Sequence, residues 1–198
     1  MPNWCSNHLN ISGPEEDIIR FKAAANGPTQ NYNDYTPSGK SWPIHDDVRL
    51  KAMSQIIPEA GEVVAFSFHA LFPVPEDFRR FPYDCNQARK VGEAVGEART
   101  HGGYTWEINN WGCKWGGTES SLVNEEPSFL QYTFDTAWSP PEEFINKISK
   151  DWPTLCFELE YEEPGMAFAG RAEWFDGEYV NGNTWEITDD EEEEHDEE

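Results

Sequence analysis

Hydrophobic and polar positions alternate most cleanly at residues 155–162, where Leu155, Phe157, Leu159 and Tyr161 interleave with Cys156, Glu158, Glu160 and Glu162. A period of two predicts a strand with one buried face and one acidic face. The same rule predicts a strand through Leu130, Tyr132, Phe134, Thr136 and Trp138, with Gln131, Thr133 and Asp135 turned the other way. It also predicts a first strand from Trp4 to Ser12, Leu9 and Ile11 on one side and His8, Asn10 and Ser12 on the other. Each of the last two strands runs into a helix start of one design. In Ser139-Pro-Pro-Glu142 the serine stands at an N-cap and the glutamate completes a capping box, and Ser12-Gly-Pro-Glu-Glu-Asp-Ile-Ile19 repeats the arrangement. The first helix is expected to run through Ile18, Ile19, Phe21 and Ala25 and to end at Gly27; the second runs through Phe144, Ile145, Ile148 and Trp152 to Pro153.

Beyond residue 162, Asp176-Gly177 marks a hairpin between residues 166–175 and 178–180, and Asn181-Gly182 suggests another turn. The stretch from about 28 to 116 is less regular. Asn31 to Pro43 reads as a loop, Asp46 to Ile57 as a helix facing inward through Val48, Ala52, Met53 and Ile56, and Asn86 to Arg99 as a helix through Ala88, Val91, Ala94, Val95 and Ala98. Val63 to Phe72 reads as a strand or extended segment closed by Pro73, and Gly116 to Glu125 as the strand entering the one that holds Asp135. Two β-α-β halves, the first interrupted, give an α+β fold, a ferredoxin-like split β-α-β sandwich with a large helical and loop insertion and an extra C-terminal hairpin. Residues 1–188 are expected to form one domain with the insertion at about 28–116, followed by a disordered acidic tail at 189–198.

Charge changes the picture more than size. The 198 residues carry a formal charge of −24, and the body is still near −15 without the nine acids of the tail. Such a field repels phosphate backbones and anionic membranes and favours basic partners. Nine Trp, twelve Phe and seven Tyr supply a heavy aromatic core. Cys5, Cys85, Cys113 and Cys156 form no C-x-x-C pair, the N-terminus lacks signal-peptide character, and no apolar run is long enough to span a bilayer. The expectation is a reduced, cytoplasmic protein.

Four segments, Met1-Pro-Asn-Trp-Cys-Ser-Asn7, Asn110-Trp-Gly-Cys-Lys-Trp115, Phe134-Asp-Thr-Ala-Trp-Ser-Pro-Pro141 and Glu163-Pro-Gly-Met-Ala-Phe-Ala-Gly170, together resemble the Api92-like proteins of phages and plasmids, whose shared region is called the YubB ferredoxin-like domain. The resemblance implies a ferredoxin-like sheet and an origin on a mobile element, and carries over no catalytic residues. Cys113 stands where a small residue such as Thr is expected in the second segment.

Candidate chemistry divides between two places. Asp135, Glu158, Glu160 and Glu162 share the polar face of the sheet with His8, Asn10, Gln131 and Thr133, and make it unfit for RNA, whose binding sheets display aromatic and basic side chains. Asn110, Trp111, Lys114, Trp115 and Trp138 are the candidates for a small-ligand pocket, Asp135 pairing with Lys114 or Arg171; a turn whose indoles plug the core is the plainer reading. Cys5-x-x-His8 with Cys113 is too weak a spacing for zinc, and no phosphate loop, nucleophile elbow or zincin motif occurs. The leading expectation is therefore a non-enzymatic phage or plasmid protein that binds and inhibits a host or defence protein with a basic surface. It would act as an acidic nucleic-acid mimic, with no cofactor, no metal, and no direct nucleic-acid or membrane binding. The alternatives are a ligand-binding protein or enzyme using the Trp111, Lys114 and Asp135 region, and a virion-associated structural protein.

Overall fold

The computed structural model describes residues 2–34 and 47–188. Alternation in the sequence becomes a six-stranded antiparallel sheet. The elements in chain order are β1 (Trp4–Ser12), α1 (Glu15–Ala25), β2 (Gly27–Pro28), α2 (Asp47–Met53), β3 (Val63–Val64), α3 (Phe68–Leu71), α4 (Glu76–Arg79), α5 (Cys85–Val95), α6 (Gly103–Trp111), β4 (Lys114–Glu126), β5 (Phe129–Ala137), α7 (Glu142–Asp151), β6 (Cys156–Glu163), β7 (Phe168–Phe175) and β8 (Glu178–Glu186). The sheet order is β4-β5-β1-β6-β7-β8. Its first four strands, with α1 and α7 packed on one face, are the ferredoxin-like unit. The β7-β8 hairpin extends it at the β6 edge, turning through Asp176 (φ 52°) and Gly177 (φ 75°), the left-handed pair that a two-residue turn demands.

Burial follows strand parity. Cys5, Asn7, Leu9 and Ile11 of β1, Leu130, Tyr132, Phe134 and Thr136 of β5, and Phe157, Leu159 and Tyr161 of β6 face the helices. There they meet Ile18 and Phe21 of α1 and Phe144, Ile145 and Ile148 of α7. The insertion completes this core: Phe66 stacks on Phe134 at 5.1 Å, and Phe68 on Phe144 at 3.9 Å with an interplanar angle of 2°. A second, small core of Leu50, Phe81, Ala88 and Val91 lies within the insertion itself.

Local readings fail where tertiary contacts outweigh them. Ser139 does not cap α7: the N-cap position is Pro141, with no side-chain cap, and Ser139 Oγ donates to Gly112 O at 2.8 Å. Pro14 caps α1 in the same bare way, so the repeated design is proline at the helix entrance and acids in the first turn, which suit the helix dipole. Gly27 lies beyond the C-cap Asn26 in an extended pairing with Val64, and its hydrogen faces Ala70, whose Cβ would stand 2.5 Å from an added Cβ. Helix α2 ends at Met53, short of Ile57; it turns Leu50 and Met53 towards the small core, whereas Val48 (81 % exposed) and, beyond the helix, Ile56 (57 %) face outward. Helix α5 stops at Val95, before Ala98, since Gly96 takes φ 82°. Val63 to Phe72 divides into a two-residue strand and the short α3. Asn181-Gly182 does not turn but continues β8. Helix α6 was not foreseen; residues 103–111 hold aromatic side chains with no clear stripe. The loop expected at Asn31 to Pro43 falls partly, and the acidic tail wholly, outside the described residues.

Candidate functional site

Antiparallel register places the acidic residues in rows across the uncovered face of the sheet. One row reads Thr118, Asp135, Ser6, Glu162, Ala169, Trp185; the next Thr133, His8, Glu160, Arg171, Asn183; the third Gln131, Asn10, Glu158, Glu173, Asn181. Asp135, Glu158, Glu160 and Glu162 are thus brought onto one surface, joined by Glu173. Neighbouring strands are about 4.8 Å apart and alternate residues about 6.7 Å along a strand, so the carboxylates form a continuous field. Arg171 is the one guanidinium in these rows, and its Nη2 is held by Glu158 at 3.0 Å and Glu173 at 2.8 Å. Among the described residues Glu160, Glu162 and Asp135 form no ion pair, although Arg171 stands opposite Glu160 in the register. The anticipated pairing of Asp135 with Lys114 or Arg171 does not form. The Lys114 ammonium lies instead over the Trp115 ring at 4.1 Å and 5.7 Å from that of Trp138.

The ligand-pocket candidates separate. Trp111 is fully buried, its Nε1 donating to Phe72 O at 3.2 Å, and plugs the core as a wedge beneath α7. Asn110 is tied to the helix surface by Trp106 O and by the Lys147 ammonium, each at 2.8 Å. Lys114, Trp115 and Trp138 do meet, and Trp4 joins them with its ring centroid 6.3 Å from that of Trp115. The three indoles are 40–43 % exposed and edge the acidic face at the end of β1, β4 and β5. Trp138 leaves the buried parity of β5 because its φ is 75°. Trp115 takes φ 71°. Both values are costly for a residue with a bulky side chain, and each needs support.

That support is polar and buried. Glu107 of α6, at 0 % exposure, accepts from Trp115 N at 2.6 Å, Tyr32 OH at 2.7 Å and Gln30 Nε2 at 2.9 Å, while the Gln30 amide also donates to Trp115 O at 3.0 Å. Burial raises the Glu107 carboxyl above its ordinary range, and these donors oppose the rise without cancelling it. Trp138 N donates to Asn3 O at 3.0 Å. Below, the Asn7 amide donates to Cys5 O, Phe134 O and Thr136 Oγ1, and Thr136 Oγ1 donates to Ser139 O. Cys5 and Cys113 are fully buried; desolvation pushes the Cys5 thiol up to about 12 and raises Cys113 as well, which leaves neither a nucleophile. His8 faces the open side of β1 and Cys5 the helix side, so the two cannot share a metal. Sequence reasoning passed over Trp4, Trp185 and Glu107. Strand parity could have found Trp4 and Trp185; nothing short of recognising α6 could have found Glu107.

A family model described as the ferredoxin-like domain in Api92-like proteins matches residues 110–198. The match begins at the end of α6, so the central strand β1 is contributed from outside it. Among solved structures, the crystal structure of protein api92 from Yersinia pseudotuberculosis is similar with a TM-score of 0.61 and 12 % identity, over 95 % of this chain and 99 % of that one. At that identity the likeness is one of fold. No curated protein matches the chain.

Proposed function

We propose for this chain, whose residues 110–198 match the ferredoxin-like domain of Api92-like proteins, a non-enzymatic role: binding a basic protein surface through the open face of its sheet. The observation that carries the reading is that Asp135, Glu162 and Glu160, on β5 and β6 either side of β1, form no ion pair among the described residues, the Arg171 guanidinium beside them being held by Glu158 and Glu173. A host or defence protein that ordinarily binds nucleic acid fits such a face, because its Lys and Arg would meet carboxylates in place of phosphates. The exposed Trp4, Trp115 and Trp138 supply the kind of aromatic anchor that concentrates binding energy at protein interfaces. The plain reading of the Trp segment as core holds for Trp111 alone.

The test compares affinity capture from a host lysate by the natural protein and by the Glu158→Gln, Glu160→Gln, Glu162→Gln variant. The expected partner is basic, is lost with the neutral variant, is displaced by added double-stranded DNA, and binds less tightly as salt rises. A partner retained equally by both proteins at all salt concentrations would overturn the role of the face.

A further inference from the structure

One depression of the open face, beside β7, combines an indole with carboxylates. Between β6 and β8, Ala169 of β7 offers only a methyl group to the open face, while Glu162 and Trp185 on either side of it are large. The result is a pocket of about 340 Å³ walled by Glu160, Glu162, His8 and Trp185. Trp185 is 48 % exposed, and in its row only Ala169 separates it from Glu162. An indole on one side and two carboxylates, two residues apart on one strand, on the other form a receptor for a planar cation. The protein's own Arg171 shows the same chemistry one row away, its guanidinium held between Glu158 and Glu173.

We propose that this pocket receives an arginine side chain of the basic partner. The proposal rests on the acidic-face reading above and narrows it from a field to a site. Arginine suits it better than lysine: its plane can lie against the Trp185 ring while its forked N–H groups meet Glu160 and Glu162, whereas an ammonium offers a point charge with no face to stack. Ala169 sets the depth, since a larger residue there would fill the floor without changing any charge.

The probes are two short acetylated peptides in which glycine alternates with arginine or with lysine, titrated into the full chain at low salt and followed calorimetrically and by the indole N–H signal of Trp185. The arginine peptide should bind about fivefold more tightly than the lysine one. Trp185→Ala should weaken it about fivefold and Ala169→Leu about tenfold, with Trp185→Phe retaining most of the affinity. Thermal melts report whether each variant is folded, and Trp185, half exposed on an edge strand, can be replaced without loss of the fold. Equal binding of the two peptides, or full affinity in both Ala169→Leu and Trp185→Ala, overturns the pocket. If those variants bind normally while the Glu158, Glu160, Glu162 neutral variant does not, the pocket falls and the acidic face stands. If the neutral variant also binds normally, both fall.

Discussion

Replacing Glu107 by alanine should destabilise the protein and release Trp115. The carboxylate is fully buried and accepts three hydrogen bonds; of its donors, Gln30 keeps a second partner in Trp115 O, whereas Trp115 N and Tyr32 OH keep none. Two orphaned buried donors cost about 1–3 kcal/mol each. Removing a desolvated carboxylate returns part of that, because a buried charge is itself unfavourable. The net loss is about 2–4 kcal/mol, a fall in melting temperature of roughly 5–15 °C for a chain of this length. Tyr32→Phe removes one donor without orphaning the others and should cost only about 1 kcal/mol. The raised carboxyl pKa fixes the sign of the pH dependence. The stabilising contribution of Glu107 is complete below the unfolded value of 4.5 and is lost as pH rises through the higher folded value, so the gap between natural and variant proteins should narrow from acid to alkaline pH. Calorimetric melts of the three proteins across that range are the assay. A Glu107→Ala protein that melts within a degree or two of the natural one, or a gap that widens with pH, would refute the reasoning.

Three further outcomes can be measured. His69 is buried, its Nδ1 accepts from Val74 N at 3.0 Å, and desolvation, helped by the charge of Arg79, lowers its pKa from 6.5 to about 4. Its contribution, up to about 3 kcal/mol, is present above pH 6.5 and lost as pH falls towards 4, a loss that His69→Gln should not show in acid melts. Alkylation of the native protein at pH 8 should label Cys85 and Cys156, which are partly exposed, while Cys5 and Cys113 react only after unfolding; native labelling of Cys5 by mass spectrometry would contradict its burial. Gly27→Ala should cost about 1–3 kcal/mol in denaturant unfolding, because the new methyl would overlap that of Ala70.

How far the sequence spoke for itself depended on whether one face of an element had one partner. Strands β1, β5 and β6 bury a single face against α1 and α7, and their alternation gives both their extent and their exposed acids. The β7-β8 hairpin was legible from Asp176-Gly177 because turn chemistry there is local. In helix α2 the expected face is right at Met53 and wrong at Val48, because apolar residues surround the helix and only the position of Phe81 and α5 selects Leu50. Helix α6 was missed because Trp106 packs against Trp111 and Phe72 while Glu107, a charged residue, is the most deeply placed of its polar positions. Trp138 looked buried by parity, and only a left-handed backbone takes it out. Ion pairing across the open face needed the register: nothing in the chain order says that Arg171 reaches Glu158 and not Glu160.

The four segments that resemble the Api92-like family lie far apart in sequence yet converge at one end of the sheet. Trp138 bonds Asn3, Lys114 and Trp4 both stand opposite Ala137, and Gly165 closes on Asn3, whose side chain would lie 2.6 Å from any Cβ added there. Three of these segments contain a non-glycine residue at positive φ: Trp115, Trp138 and Ala167. Each such conformation costs on the order of 1–3 kcal/mol of backbone strain. A structural plug does not require that expense, and Trp111 plugs the core from an ordinary helix. What the left-handed backbone achieves at Trp115 and Trp138 is to turn two indoles outward beside Trp4 at the rim of the acidic face, with Glu107 and Asn3 holding the main chain in place. Under the proposed binding role, these indoles border the contact made by the acidic face, at the end of the row that runs from Asp135 to Trp185.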